Sequence, residues 1–133
     1  DWGFAGEYMT AVHKMMQQDK PNDFVISTGE SHSVSEFAKE AFDIVGLDWK
    51  KYVKSDKKFF RPLELDHLRG NAKKATKHLK WKPKITFKKL VKMMVDTELK
   101  RWNDFLDGKI FPWDAPLYPD QSKLITRLSS RKK

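Results

Sequence analysis

Phe24-Val25-Ile26-Ser27-Thr28-Gly29-Glu30-Ser31-His32-Ser33-Val34-Ser35-Glu36-Phe37 is the stretch on which the reading of the fold turns. Its first five residues are mostly apolar and favour extended backbone, which predicts a short buried strand over residues 24–28. Gly29 to His32 then reads as a turn. Ser33 stands three residues before Glu36, the spacing at which a hydroxyl and a carboxylate cap a helix start reciprocally. Val34, Phe37, Ala38, Ala41, Phe42 and Val45 follow at helical spacing, and Gly46 supplies the stop. Lys51-Tyr52-Val53-Lys54 predicts a second short strand. Strand, turn, capped helix and strand compose a βαβ unit, for which parallel strands and a right-handed crossover are expected. The expected class is therefore α/β, with short parallel strands and packed helices.

Ligands of open α/β units gather beyond the carboxyl ends of the strands. Thr28 to His32 and Ser55 to Arg61 both follow predicted strand ends. The second of these leads into Phe59-Phe60-Arg61-Pro62-Leu63-Glu64-Leu65-Asp66-His67-Leu68-Arg69-Gly70. Pro62 fixes its own φ and biases Arg61 towards extended backbone, so the turn is stiff. A guanidinium fork suits a phosphate, and the Glu64 carboxylate three residues on suits a diol. The pair reads as a nucleotide clamp or as two solvated charges on an ordinary turn.

The remaining segments are mostly helical. Tyr8, Ala11, Val12, Met15 and Met16 fall at helical spacing between Ala5 and Gln18, and a breaker cluster follows at residues 19–23. Asn71 is placed to cap a helix over residues 72–79, closed by Trp81-Lys82-Pro83. Thr86 opens a long helix with Phe87, Leu90, Val91, Met94, Val95, Trp102 and Leu106 on its apolar side. Beyond Gly108 the proline and aromatic residues lose all periodicity, so residues 107–133 read as an extended tail with a basic end.

Composition bounds the function. The 133 residues suffice for one core, and 34% charged with 39% hydrophobic residues describes a soluble, folded, heavily charged chain. With no cysteine there is no disulfide framework and no thiolate metal site, which fits a reducing compartment. No apolar run approaches the roughly 20 residues of a membrane span. The absence of Met before Asp1-Trp2-Gly3 reads as a fragment or processed product. A net charge of +9 attracts anions. The lysine pairs lie apart along the chain, no basic helix or RNA-recognition signature appears, and nucleic acid is not the expected partner. His13, His32, His67 and His78 lack zinc-ligand spacing, and no Gly-rich phosphate loop is present. Asp1, Glu7, Asp43 and Asp66 read as scattered, solvated carboxylates. The residues offer a binding surface rather than an active site.

Four segments carry a family resemblance in collinear order. Asp1-Trp2-Gly3-Phe4-Ala5-Gly6-Glu7-Tyr8 resembles the segment that opens the C-terminal part of GDP-mannose 4,6-dehydratases. Phe24 to Phe37 resembles their strand, turn and helix. Gly46-Leu47-Asp48-Trp49-Lys50-Lys51-Tyr52-Val53 is a third match. The fourth is Phe60-Arg61-Pro62 through Glu64, Asp66, Leu68 and Gly70, continuing to Lys74-Ala75, Leu79, Trp81 and Pro83. The resemblance covers residues 1–106. Phe4, Asn71 and Lys80 depart from it, standing where His, Asp and Gly are usual.

The resemblance implies an extended short-chain dehydrogenase/reductase whose Rossmann half lies outside this sequence. It implies a parent enzyme that converts GDP-mannose to GDP-4-keto-6-deoxymannose with NADP, and residues 1–106 as its nucleotide-sugar-binding part. It also implies a cytoplasmic location and homo-oligomers at full length, with the Rossmann half and GDP-mannose as partners. No catalytic residue, metal ligand or cofactor contact is expected on this chain. Arg61 would contact the diphosphate, Glu64 the ribose hydroxyls, and Trp2 would either stack on the nucleotide or pack at the domain junction. The alternatives are a sibling nucleotide-sugar epimerase or reductase, and a non-catalytic basic interaction module.

Overall fold

A computed structural model describes residues 1–60, 65 and 67–109. Along them run four helices: α1 (Ala5–Met16), α2 (Val34–Ile44), α3 (Lys73–Leu79) and α4 (Phe87–Leu106). Two 3₁₀ turns, Trp49–Lys51 and Lys57–Phe59, lie between α2 and α3. The chain divides into one unit over Asp1–Val95 and a second over Asp96–Lys133, of which residues 96–109 are described.

In the first unit, α1 and α3 pack together through Ala11, Ala75 and Leu79, with Trp81 completing the buried cluster. Tyr8, Met15, Phe24, Ile26 and Ala72 close around it. The small side chains at Ala11 and Ala75, both fully buried, let the two helices approach. The buried face of α1 is narrower than its pattern predicted, since Val12 and Met16 stand 43% and 77% exposed.

The helix signals decide most of the ends. Ser33 Oγ accepts from the Glu36 N–H at 3.1 Å, and Glu36 Oε2 accepts from the Ser33 N–H at 2.6 Å. The expected capping box on α2 is therefore formed. Asn71 Oδ1 accepts from Lys73 N–H at 3.1 Å, while the cap position itself is Ala72. The far end of α3 closes on Lys80, which has φ 52° and ψ 35°. That is a left-handed residue at a site where glycine is the unstrained choice. The ammonium of Lys14 donates to the Leu79 carbonyl at 3.1 Å and so meets the negative end of α3. Thr86 Oγ1 accepts from Lys89 N–H at 3.4 Å at the start of α4.

The predicted strands do not form among the described residues. Residues 24–26 keep the alternation of a strand, with Phe24 and Ile26 against the core and Val25 54% exposed, while Ser27 is buried. No second strand pairs with them. The amides of Thr28 and Gly29 are taken by a side chain, the Asp1 carboxylate, instead of a ladder partner. The second predicted strand is replaced by a 3₁₀ turn. Asp48 Oδ1 accepts from Lys50 N–H, and the Trp49 carbonyl accepts from both Tyr52 and Val53. The Tyr52 ring then stacks on Phe42 of α2, with centroids 5.5 Å apart. Local capping by Asp48 wins because nothing rewards an extended conformation there. What is shown is a helix-rich unit, without the parallel strands of the expected α/β class.

The first half of α4 buries Leu90 and Val91 as its pattern predicted. Within the second unit, Trp102 and Leu106 are 46% and 40% exposed, so the apolar stripe expected there is not buried. Asp104, 7% exposed, accepts from the ammonium groups of Lys100 and Lys109, the latter at 2.8 Å. These two hydrogen bonds hold its carboxyl below the usual aspartate range.

Candidate functional site

Two carboxylates read from sequence as surface charges turn out to organise the first unit. Asp1 gathers chain from two places, residues 28–29 and residue 70. Its Oδ1 accepts from Thr28 N–H at 2.9 Å and Thr28 Oγ1 at 2.6 Å. Its Oδ2 accepts from Gly29 N–H at 2.8 Å and Gly70 N–H at 3.1 Å. A carboxylate accepts only, with about four lone-pair sites, so four donors use all of them. Glu7, in the first turn of α1, ties a distant stretch in the same way. Its carboxylate accepts from Lys84 N–H at 2.8 Å and Ile85 N–H at 3.2 Å, and its carbonyl accepts from Trp81 Nε1 at 3.0 Å. The spacing of a sequence carries no sign of such distant pairings, which is why both were missed.

The Asp1 contacts bring the end of the 59–70 stretch onto the turn that follows Thr28. Ser31 Oγ donates to the Leu68 carbonyl at 2.8 Å, and Arg69 Nε donates to the Gly29 carbonyl at 2.5 Å. Gly70 has no room for a side chain, because a Cβ there would sit 2.3 Å from Ser27 Cβ. The turn after residues 24–28 and the tail of the proposed clamp thus share one locus. Arg61, Glu64 and Asp66 lie outside the described residues.

Trp2 is described. Its ring meets Phe37 edge-on at 5.3 Å and stacks on Phe87 at 6.0 Å. The His32 ring lies flat on Phe87, with centroids 3.8 Å apart and planes 11° from parallel. Trp2, His32 and Phe87, with Thr28, Glu30 and Lys84, border a cleft of about 90 Å³. Within it His32 Nε2 is buried without a hydrogen-bond partner among the described residues, 3.7 Å from Glu30 Oε2. The opposite nitrogen, Nδ1, is 3.8 Å from Glu36 Oε2. Sequence reasoning placed His32 in a turn and found no role for it; its stacking depends on a residue 55 positions away.

The described residues contain no group of three or more His, Cys, Asp or Glu side chains able to hold a metal ion. They assemble no nucleophile, base and oxyanion site either. The chemistry that the described residues bring to this locus is binding: an aromatic wall and a histidine flanked by two acids.

Residues 1–94 match the family model described as GDP-mannose 4,6 dehydratase. The chain belongs to the GDP-mannose 4,6-dehydratase family. It is 56% identical over 100 residues to GDP-mannose 4,6 dehydratase 1 of Arabidopsis thaliana, a match that covers 75% of this chain and 28% of that protein. It is 44% identical over 118 residues to GDP-mannose 4,6 dehydratase of Dictyostelium discoideum, covering 75% of this chain and 33% of the relative. Against the Homo sapiens protein of that name the identity is 42% over 122 residues, covering 77% of this chain and 33% of the relative. The chain thus spans about a third or less of the length of these relatives. No helix among the described residues is long and apolar enough to cross a membrane.

Proposed function

We propose that this chain is the nucleotide-sugar-holding part of a GDP-mannose 4,6-dehydratase. The family match over residues 1–94 carries the proposal. It runs through the 59–70 stretch, and the structure draws the end of that stretch onto the Thr28–Ser31 turn. On this reading Arg61 holds the diphosphate of GDP-mannose through paired N–H donors, and Glu64 accepts from the ribose hydroxyls. Trp2 walls the neighbouring cleft with Phe37 and Phe87 behind it. Its packing against both rings supports the junction role over stacking on the nucleotide.

The parent enzyme would be an NADP-dependent lyase of the extended short-chain dehydrogenase/reductase class. The described residues do not fit the dinucleotide itself. None forms a Gly-rich turn between a strand and a helix, the cradle that a pyrophosphate requires. Hydride and proton chemistry would lie on a separate part of the enzyme, and this part would bind, orient and enclose the substrate. A homo-oligomer in a cytoplasmic setting is consistent with that assignment.

The test is steady-state turnover of GDP-mannose by the full-length protein with NADP. Turnover is expected, and Arg61→Ala is expected to raise KM about 10- to 100-fold, the cost of one charged hydrogen-bonded contact. Turnover of a different nucleotide sugar in place of GDP-mannose, or an unchanged KM in Arg61→Ala, would refute the assignment.

A further inference from the structure

The net charge of this protein has an address. Nine of its 27 basic residues and none of its 18 acidic ones fall between Asn71 and Val95. These 25 residues therefore carry the whole net charge of +9, and the other 108 balance to zero. All nine are lysines, at 73, 74, 77, 80, 82, 84, 88, 89 and 92, and all nine are exposed.

The exposure follows from the backbone. On α3, Lys73 and Lys77 recur at i and i+4, opposite the buried Ala75 and Leu79. In the connector Lys80, Lys82 and Lys84 alternate with Trp81, Pro83 and Ile85, of which Trp81 is 3% exposed. On α4, Lys88 and Lys92 recur at i and i+4 beside buried Leu90 and Val91. Helix, connector and helix thus each turn their lysines to solvent, in one run without an acid. Lys74 donates to Asn22 Oδ1 and Lys88 lies 3.9 Å from Glu40. Lys73, Lys77, Lys80, Lys82 and Lys84 form no ion pair among the described residues.

We propose that this lysine strip is a docking surface for an acidic polypeptide segment. The composition of the strip selects that partner among polyanions. It contains no arginine, so it lacks the planar fork that grips phosphates two-handed. It offers no exposed Trp, Tyr or Phe on which a base could stack, since Trp81 is buried and Phe87 is covered by His32 and Trp2; its one exposed ring, His78, leans towards Phe24 at 6.3 Å. Its only large exposed apolar side chain is Met94, so nothing anchors it in a bilayer. Compact, hydrated point charges that follow one another along the chain suit carboxylates, which an ammonium pairs without a fixed planar geometry. Lys84 borders the cleft that Trp2 walls, whereas Lys73, Lys77 and Lys82 do not line it.

The test is fluorescence anisotropy of labelled poly-L-glutamate with the full-length protein at 50 mM and 200 mM salt. Binding is expected to weaken steeply with salt, as for exposed charges separated by about a Debye length. A Lys73→Gln/Lys77→Gln/Lys82→Gln triple variant is expected to lose at least fivefold in affinity at the lower salt. A Lys50→Gln/Lys51→Gln/Lys54→Gln variant, equal in net charge, is expected to keep wild-type affinity. Far-UV circular dichroism on both variants checks that neither has unfolded. Equal losses in the two variants would overturn the proposal. Tighter binding of poly-uridylate, or of phosphatidylserine vesicles, than of poly-glutamate at the same salt would also overturn it.

Discussion

Lys80 shows most directly what one residue costs. It is the only non-glycine with positive φ among the described residues, at 52°, and it closes α3. An L side chain in that conformation costs roughly 1–2 kcal/mol, while glycine loses roughly 0.5–1 kcal/mol more backbone entropy on folding. The difference favours glycine. Lys80→Gly is therefore expected to stabilise the chain by about 0.5–1 kcal/mol, read as a rise in Tm of several degrees; an unchanged or lower Tm would contradict it. Asp1 makes the opposite case. Asp1→Asn keeps one acceptor oxygen but replaces the other by a donor, which then faces the N–H groups of Gly29 and Gly70. A loss of roughly 1–3 kcal/mol is expected in urea unfolding. If Asp1 instead behaves as the solvated charge its sequence suggests, the change would be under about 0.5 kcal/mol.

At the scale of elements, α2 is the case in which local signals suffice. Ser33 and Glu36 cap it reciprocally, and the Glu36 carboxyl is held below the usual range chiefly by the Ser33 N–H. A carboxyl depressed on folding contributes stability above its unfolded value, near 4.5, and that contribution is lost as pH falls through the folded value. Glu36→Gln is therefore expected to lower Tm at pH 7 and to converge with wild type towards pH 3. Ser33→Ala is expected to cost about 1 kcal/mol at pH 7. Thermal melts across that pH range check both, and a Glu36→Gln deficit that persists at pH 3 would contradict the sign. The helices were legible because cap and periodicity act within a few residues. The two predicted strands were not, because a strand exists only with a partner. Residues 24–28 found the Asp1 carboxylate instead, and residues 51–54 lost to a turn capped by Asp48. Gly70 belongs with these long-range effects: its need for a bare Cα comes from Ser27, 43 positions back.

Among the described residues few apolar side chains are buried. The buried apolar residues among those described are Ala11, Ala75, Leu79, Trp81, Leu90 and Val91, and the two alanines add little apolar area. Met9, Met16, Val25, Val34 and Leu68 stand more than half exposed. Asp1, Glu7 and Lys14 supply the long-range ties that a sheet would otherwise provide, by hydrogen bonds worth about 1–3 kcal/mol each. Such a balance leaves little margin, since folded domains of this size hold only about 5–15 kcal/mol in total. The relatives are some three times longer than the part this chain matches. If it serves as the substrate-holding part of such an enzyme, the remainder would cover part of this apolar surface. The 133-residue chain alone is then expected to unfold in urea at a midpoint at least about 1 M below the full-length protein. It is also expected to bind more of an apolar dye such as anilinonaphthalene sulfonate. Coincident midpoints with equal dye binding would mean that the six-residue core and its carboxylate ties suffice by themselves.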